Sequence, residues 1–103
     1  MIRNIRNHYL LSGLIRIHVM YHACKEPIFG LGMIEELERH GYKLSAGTLY
    51  PMLHGLEKKG LLTSKEVRRG NRKRRLYRAT PLGRKAFAEA KGKVKILFGE
   101  LLE

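Results

Sequence analysis

The amino-acid sequence predicts a mainly α-helical fold with one small β-hairpin. Four segments carry apolar residues at helical spacing, and glycines or prolines separate these segments. Between the third and fourth segments, two strand-like runs flank Gly70-Asn71, which is a hairpin signal. The order helix, helix, helix, hairpin, helix predicts a winged helix-turn-helix DNA-binding domain over residues 1–80, followed by a C-terminal dimerisation helix over residues 81–103.

Composition and charge narrow the class of partner. The 103 residues suit one compact domain, and the apolar content of 44% is ordinary for a globular protein. There are 21 Lys and Arg residues against 9 acidic residues, all Glu, so the net charge of +12 favours nucleic acid first and an acidic membrane surface second. The single cysteine, Cys24, excludes an intrachain disulfide framework. Without a signal-peptide pattern or an apolar run near ~20 residues, we expect a cytoplasmic protein that does not insert into membranes.

The first two helices are predicted from apolar stripes and from the signals at their ends. Asn7 is the predicted N-cap of the first helix, whose stripe runs from Tyr9 to Cys24. Pro27 ends this helix because proline disfavours helical backbone at the residue before it. The second helix is predicted from Gly30 to about His40, with Gly41 as its cap. The first stripe is so wide that its helix should be buried on more than one side.

The third helix, predicted between Ser45 and Gly60, is the element around which the rest is organised. Its apolar residues fall on one helical face: Leu49, Met52, Leu53 and Leu56. Ser45 is the predicted N-cap, with its hydroxyl accepting a backbone N–H, and Gly60 is the predicted C′ residue. Pro51 lies one turn inside the helix, where proline costs ~3 kcal/mol or more, but the leucine spacing continues through it. The opposite face is small, aromatic and polar, which suits close approach to a large partner.

Six basic residues crowd the predicted hairpin: Arg68, Arg69, Arg72, Lys73, Arg74 and Arg75. Such density favours a wing tip that contacts phosphates or enters a minor groove. The alternative is a solvated charged hairpin that blunts edge pairing. Because alternate residues of a strand point to opposite faces, the six residues cannot all face one groove.

The last helix is predicted to begin at Thr80-Pro81, an N-cap followed by proline at N1. Its apolar residues follow the spacing of a coiled-coil seam: Phe87, Ala90, Val94, Leu97 and Leu101. At ~1.5 Å per residue the helix is about 30 Å long, which is too long for so small a domain to cover. We therefore predict that the seam pairs two subunits, the alternative being simple packing on the subunit's own core.

Two motifs resemble those of the PadR family of transcriptional regulators. The third helix carries Ser45-x-Gly47-Thr48-Leu49-Tyr50-Pro51-x-Leu53-x-x-Leu56-Glu57-x-x-Gly60-Leu61, and the end of the hairpin carries Tyr77-x-x-Thr80-x-x-Gly83. The resemblance covers residues 10–89 and implies a winged-helix homodimer that binds operator DNA, usually as a repressor and often released by a small ligand. Where the family often has His-Gly-Tyr, this chain has Phe29-Gly30-Leu31. With a single C-terminal helix, the chain looks like the short subgroup of the family.

The predicted DNA contacts lie on the outer face of the third helix and on the wing. The helix candidates are Ser45, Gly47, Thr48, Tyr50, Pro51, His54 and Lys58, on a helix expected to enter the major groove. The wing candidates are Arg69, Arg72, Lys73 and Arg74. The alternative is an exposed helix of a non-binding module, with Tyr50 partly in the core. The helix face offers no Arg, Asn or Gln for bidentate base pairing, so DNA shape should supply part of the specificity.

A small hydrophobic or aromatic effector is expected between the first and last helices, lined by Tyr9, Met20, Phe87 and Phe98. His18 and His22 have the i, i+4 spacing of zinc ligands. Cys24 lies about 200° beyond His22 on the helical wheel and the other histidines are scattered, so no metal site is predicted. No cofactor site or catalytic arrangement emerges, and the chain contains no Asp, so no enzyme activity is predicted.

The sequence thus predicts a DNA-binding transcriptional regulator, a repressor that binds a pseudopalindromic operator of double-stranded DNA as a homodimer and is released by a small effector. Two alternatives remain: a non-specific or chromatin-like winged-helix protein, and a protein-interaction module whose charge aids solubility.

Overall fold

The structure is a computed structural model that describes the backbone of residues 5–103 and the side chains from residue 9 onward. Seven elements follow one another in this part of the chain: α1 (Ile5–Lys25), β1 (Ile28–Phe29), α2 (Gly30–Arg39), α3 (Ala46–Lys58), β2 (Leu62–Arg69), β3 (Arg72–Ala79) and α4 (Pro81–Leu101). This order confirms the predicted winged helix-turn-helix fold with a further C-terminal helix. None of the described helices combines the length and the apolar content needed to cross a membrane.

The ends of α1 and α2 follow the predicted signals, whereas the start of α1 does not. α1 stops at Lys25, two residues before the proline, and α2 is followed by Gly41 with a φ of +93°, which favours glycine. The prediction of Asn7 as an N-cap is wrong, because the helix already includes Ile5. Ile5 and Tyr9 are spaced i, i+4, so the helical repeat of apolar residues extends backwards past the cap signal.

α3 continues through Pro51 as predicted, and its ends are mostly those expected. Gly60 follows the helix with a φ of +81°, and the backbone of Ser45 has N-cap geometry at φ −89° and ψ 166°. The expected hydroxyl bond to a backbone N–H is wrong: the Ser45 hydroxyl donates to Thr48 Oγ1 at 3.4 Å. Since Pro51 is exposed and the leucines on either side of it are buried, packing keeps the helix in phase despite the lost N–H.

The hairpin is part of a three-stranded antiparallel sheet with the order β1-β3-β2. Its turn is Gly70-Asn71, where glycine has a φ of +59°. The two-residue strand β1 was not predicted, because it is too short to show an alternation of apolar and polar residues. It pairs Ile28 with Tyr77 and Phe29 with Leu76, and so attaches the start of α2 to the wing.

The core lies between the helices and one face of this sheet. The fully buried side chains come from α1, α2, α3, β2 and β3: Ile15, Val19, Leu37, Leu49, Leu53, Leu62 and Tyr77. Tyr77 is the largest of these, and burial, aided by the nearby Glu57 carboxylate, raises the pKa of its hydroxyl. Because this ring belongs to β3, the wing is anchored in the same core that holds the helices.

The first turn of α4 is part of this core. Thr80 caps the helix by accepting a hydrogen bond from Gly83 N at 2.9 Å, and its own hydroxyl donates to the Gly60 carbonyl oxygen. Gly83 is buried, and a Cβ at this position would overlap the Leu61 carbonyl oxygen and lie 3.0 Å from Met20 Cε. Only a glycine at this position therefore lets α4 lie so close to Leu61, which follows α3 in the chain.

We expect Gly83→Ala to lower the free energy of unfolding by about 1–3 kcal/mol or more, because the backbone of Leu61 must move to admit the methyl group. Gly92→Ala is the matched control on the same helix, since a Cβ there meets nothing within 4 Å. The control should gain up to ~1 kcal/mol from its higher helix propensity. Urea unfolding followed by circular dichroism measures both, and equal stabilities for the two variants would contradict the close contact at Gly83.

Candidate nucleic-acid interface

α3 buries one face and exposes the other. Leu49, Leu53 and the rest of the predicted apolar stripe are buried. The structure exposes five of the predicted contact residues, namely Ser45, Gly47, Pro51, His54 and Lys58, and half-buries the other two, Thr48 and Tyr50. The outer face therefore offers hydroxyls, one imidazole and one ammonium group to a partner.

The half-buried Tyr50 has a structural role that the sequence did not reveal. Its ring packs against the backbone of Gly30, where a Cβ would lie 2.5 Å from the ring and its hydroxyl oxygen. The same ring lies 6.5 Å from the imidazole of His54, centroid to centroid. The glycine of the Phe29-Gly30-Leu31 segment thus makes room for the aromatic residue of α3 and sets its position at the edge of the polar face.

The strand register divides the six basic wing residues equally between two faces. β2 and β3 pair from Leu62 with Ala79 to Arg69 with Arg72. Because residues directly opposite each other share a face, the face that continues the buried Tyr77 carries Arg68, Lys73 and Arg75. The other face carries Arg69, Arg72 and Arg74. Of the predicted wing contacts, only Lys73 lies on the strand face that also touches α3.

A short hydrogen-bond chain joins the wing to the last turn of α3. Arg75 Nε donates to Ser64 Oγ at 3.1 Å, and Ser64 Oγ lies 2.9 and 3.0 Å from the two carboxylate oxygens of Glu57. The contacts between Ser64 and Glu57 are partly buried, so solvent screens them less than it screens surface ion pairs, whereas the hydrogen bond from Arg75 is exposed. The chain ties the angle of the wing to the end of α3.

The outer wing residues make weaker contacts. Lys73 Nζ lies 3.7 Å from Glu66 Oε2, and both side chains are largely exposed. On the opposite face, the Arg74 guanidinium lies 5.6 Å from the centre of the Phe29 ring, a cation–π distance. The side chains of Arg69 and Arg72 are exposed next to the turn. The tip is therefore charged and accessible to an anionic partner.

The wing and α3 enclose a cleft of about 420 Å³. Predicted contact residues from both elements line it: Tyr50, His54, Arg72, Lys73 and Arg74. Arg75 and the Phe29-Gly30-Leu31 segment line it as well, and neither was among the predicted contacts. Ser45, Thr48 and Lys58 do not line the cleft but belong to the outer face of α3.

The predicted seam of α4 changes character along its length. Phe87 is half-buried, packs against the core and lies 6.2 Å from the Tyr21 ring on α1. Ala90 and Val94 are also half-buried, whereas Leu97 and Leu101 are 48% and 72% exposed. The first part of the seam is therefore satisfied within one subunit, and the second part is not.

A cavity of about 590 Å³ lies where an effector was expected, beside α1 and α4. Phe87 lines it, together with Leu14, Ile17, Tyr21 and Val94. Met20 does not line this cavity, because it points into the core beside Gly83, so its assignment to the effector site needs correction. Tyr9 and Phe98 are exposed and also lie outside the cavity lining.

The polar side of this cavity is formed by His18, His22, Glu36 and His40. The sequence placed His40 apart from the histidines of α1, and this was wrong, because α2 returns its end to α1. The rings of His18 and His40 lie 5.1 Å apart. Burial, followed by the neighbouring imidazoles, lowers the pKa of His18, and the hydrogen bond from Arg39 lowers the pKa of Glu36.

Fold and surface together define a winged helix-turn-helix protein with an exposed polar α3 and a basic wing. Comparison with known families gives the family: the model of the transcriptional regulator PadR-like family matches residues 19–89. A relative from Mycobacterium tuberculosis, the transcriptional regulator Rv3488, is 46% identical over 88 residues, which are 85% of this chain and 82% of the relative. The chain belongs to the PadR-like family of transcriptional regulators.

Solved structures agree with this assignment. A PadR family transcriptional regulator from Eggerthella lenta superposes with a TM-score of 0.79 at 33% identity, covering 92% of this chain and 87% of that one. PadR from Bacillus subtilis, solved in complex with operator DNA, has a TM-score of 0.65 at 16% identity, covering 74% of this chain and 44% of that one. The second likeness shows the fold alone.

We expect Glu57→Ala to lower the free energy of unfolding by about 1–3 kcal/mol, because the partly buried hydroxyl of Ser64 loses its acceptor and no longer links Arg75 to α3. Glu66→Ala is the matched control, since it removes an exposed ion pair worth about 0–1 kcal/mol. Urea unfolding gives both values, and hydrogen exchange at the amides of β2 and β3 should be faster only in the first variant. Equal effects would show that the chain from Arg75 to Glu57 does not hold the wing.

Proposed function

We propose that this regulator binds operator DNA as a homodimer, with α3 in the major groove and the wing against the neighbouring backbone. The observation that carries the proposal is the cleft in which Tyr50 and His54 of α3 meet Arg72–Arg75 of the wing. Two elements that approach one duplex from adjacent positions are thus held in a fixed relation. The net charge of +12 supports a polyanionic partner. The complex of the Bacillus subtilis relative with operator DNA supports the same use of the shared fold.

The roles of the contact residues follow from their positions. The hydroxyls of Ser45 and Thr48, at the N-terminus of α3, suit phosphate oxygens, which the positive end of the helix dipole also attracts. Gly47 and Pro51 add little side-chain bulk to the outer face of α3, so that the helix can enter the groove deeply. His54 and Lys58 follow at one-turn spacing and reach further along the groove.

The specificity for a DNA sequence then depends on the shape of the duplex as well as on contacts with base edges. His54 is exposed on α3 and is the side chain best placed to reach a base edge. The wing residues Arg69 and Arg72 are exposed beside the turn and suit a narrow minor groove, whose negative potential attracts arginine. The Arg74 side chain supports Phe29 and contributes charge from the far face of the wing.

Dimerisation is proposed through α1 and α4. Large apolar side chains in the last turns of α4 and at its C-cap are between 48% and 72% exposed, namely Ile96, Leu97, Phe98, Leu101 and Leu102. On α1, Tyr9 and Leu10 are 82% and 77% exposed. So much apolar surface on so small a subunit marks an interaction face. A second copy is the simplest occupant, because the family signature and the seam spacing both point to pairing. Two α3 helices about 34 Å apart would then read half-sites one turn apart in a pseudopalindromic operator.

Repression would follow where the bound dimer covers a site that RNA polymerase needs. The 590 Å³ cavity offers a small aromatic or hydrophobic effector a place beside α1 and α4. An effector held there would contact Tyr21 and Phe87, and could shift the angle between the two helices. A change in that angle would alter the spacing of the recognition helices and release the operator.

We expect the protein to bind a fragment from upstream of its own gene at least ~10³-fold more tightly than random DNA of the same length. If the dimer neutralises ~8 phosphates, log K should fall with log salt at a slope near −7. Fluorescence anisotropy over a range of KCl concentrations measures both quantities. Equal affinity for both DNAs would favour the non-specific alternative, and no binding at low salt would favour the protein-interaction module.

Two variants separate the wing from α3. Arg72→Ala should weaken binding to specific and random DNA alike and make the salt slope shallower by about 2, one contact from each subunit. His54→Ala should weaken operator binding by roughly 5- to 100-fold while leaving random DNA almost unaffected. Lys95→Ala, an exposed lysine on α4 outside the proposed surface, is the charge-matched control and should bind like the parent protein. The same loss from all three would contradict the proposed surface.

Leu97→Glu should convert the dimer to a monomer, because it places a charge in the apolar face of α4. The matched control is Lys95→Glu, which adds a carboxylate away from the seam. Sedimentation equilibrium distinguishes the chain mass of 11.9 kDa from twice that value. A parent protein that remains at the single-chain mass at micromolar concentration, or a Leu97→Glu dimer as tight as the control, would overturn the proposed interface.

A further inference from the structure

Three of the five histidines of the chain meet at one place. His18 and His22 come from successive turns of α1, and His40 is the residue that ends α2. One nitrogen from each ring can be chosen so that the three lie within 4.8 Å of one another. All three histidines line the cavity beside α1 and α4.

One of these nitrogens is buried without a partner. Nε2 of His22 is inaccessible to solvent and makes no hydrogen bond within the described part of the chain. Glu36 Oε2 lies 3.7 Å from this nitrogen, which is too far for a hydrogen bond. A buried imidazole nitrogen without a partner costs free energy, so a bound ligand at this position would remove a penalty.

The Glu36 carboxylate places an oxygen donor beside two of the three imidazoles. Its Oε1 is held by Arg39, which leaves Oε2 directed at the histidines, 3.2 Å from His40 Nε2 and 3.7 Å from His22 Nε2. In a tetrahedral site with metal–ligand distances of 2.0–2.1 Å, neighbouring donor atoms are about 3.3–3.5 Å apart. The carboxylate oxygen therefore already lies near ligand separation from two of the three imidazoles.

The charges around the cluster also permit a cation. His40 caps the C-terminus of α2, where unpaired carbonyl groups give a partial negative charge. Two lysines line the same cavity, Lys25 and Lys91. The Lys25 ammonium is turned toward the Tyr21 side chain, with Nζ 3.0 Å from the phenol oxygen.

We propose that His18, His22 and His40, with Glu36 as the fourth ligand, bind one divalent transition-metal ion per subunit. Three imidazoles and one carboxylate favour Zn²⁺ and its neighbours Co²⁺ and Ni²⁺. Mg²⁺ and Ca²⁺ prefer all-oxygen sites, so they should not compete. The ion would hold the middle of α1 to the end of α2.

The site also touches the turn that leads into α3. His18 lies 5.2 Å from the Tyr42 ring in an edge-on arrangement, and Tyr42 follows the cap of α2. An ion bound to His18 and His40 would therefore restrict the entry of the chain into α3. An effect of the ion on DNA affinity rests on the proposed function, whereas ion binding itself can be measured without DNA.

The direct test is titration of the full, tag-free and metal-free protein with Co²⁺ and Zn²⁺. We expect one equivalent of Co²⁺ per subunit and the visible d–d absorption of a tetrahedral site, which Zn²⁺ should displace. Zn²⁺ at about 100 times its Kd should raise Tm by roughly 10 °C or more, and Mg²⁺ should leave Tm unchanged. The proposal would be overturned if neither the Co²⁺ band nor the Zn²⁺-dependent Tm shift appeared.

Variants locate the site. His40→Gln and His22→Gln should each weaken Co²⁺ binding at least 10-fold, and Glu36→Gln should weaken it while preserving the fold by circular dichroism. His54→Gln removes a histidine on α3 and should bind Co²⁺ like the parent protein, although its DNA affinity changes. Unchanged Co²⁺ affinity in the two cluster histidine variants, or an equal loss in His54→Gln, would contradict the assignment. DNA binding measured with and without Zn²⁺ then tests the coupling separately.

Discussion

Burial of one face of α3 is the constraint on which the rest of the molecule depends. Leu49, Leu53 and their neighbours are buried in the core, where α3 packs against α2 and β2, so the orientation of the helix about its own axis is settled. The opposite face then projects outward whatever its composition. Its small and polar residues contribute little to stability, so packing does not constrain them and they can suit contact with a partner. The exception is Tyr50, whose ring is needed at the Gly30 backbone.

The wing depends on the same core through two attachments of different strength. Tyr77 is fully buried and gives β3 a fixed base. Further along the hairpin, hydrogen bonds from Arg75 to Ser64 and from Ser64 to Glu57 connect the wing to α3. Past these residues the strands are exposed and basic, so the tip can adjust to a partner while its base cannot. This gradient from rigid base to accessible tip suits a surface that must match a duplex of variable groove width.

Local patterns predicted most of the fold. The apolar spacing of four helices, Gly41 and Gly60 at helix ends, and Thr80-Pro81 as a start all act within a few residues, so the sequence displays them directly. The two-residue strand β1 was missed because it exists only through pairing with β3. The predicted hydroxyl cap at Ser45 was wrong: the side chain makes no bond to a backbone N–H and is oriented to donate to the Thr48 hydroxyl. Such competition between neighbours is not visible in spacing alone.

The placement of the candidate residues was predictable only where a single element supplies them. The outer face of α3 follows from its helical phase, whereas the division of the wing arginines into two faces requires the strand register. In the sequence, Arg75 does not differ from the other basic residues of the wing. Its hydrogen bond to Ser64, which in turn contacts Glu57, is visible only in the structure. His40 is similar: it lies 18 positions after His22 in the sequence, and only the return of α2 onto α1 brings the two together.

The histidine cluster, the α4 face and the entry to α3 share one side of the subunit, and this arrangement gives the two proposals a common physical basis. The 590 Å³ cavity is bounded by His18 and His40 on its polar side and by Phe87 and Val94 on its apolar side. Beyond Val94 the apolar face of α4 continues into the exposed Leu97 and Leu101. A second subunit seated on that face would extend the wall of the cavity and further restrict its access to water. Lower water access strengthens every electrostatic interaction in the cluster. Residues 40–45 join α2 to α3, and Tyr42 of this connection lies beside His18, so the histidine cluster also lies next to the entry to α3.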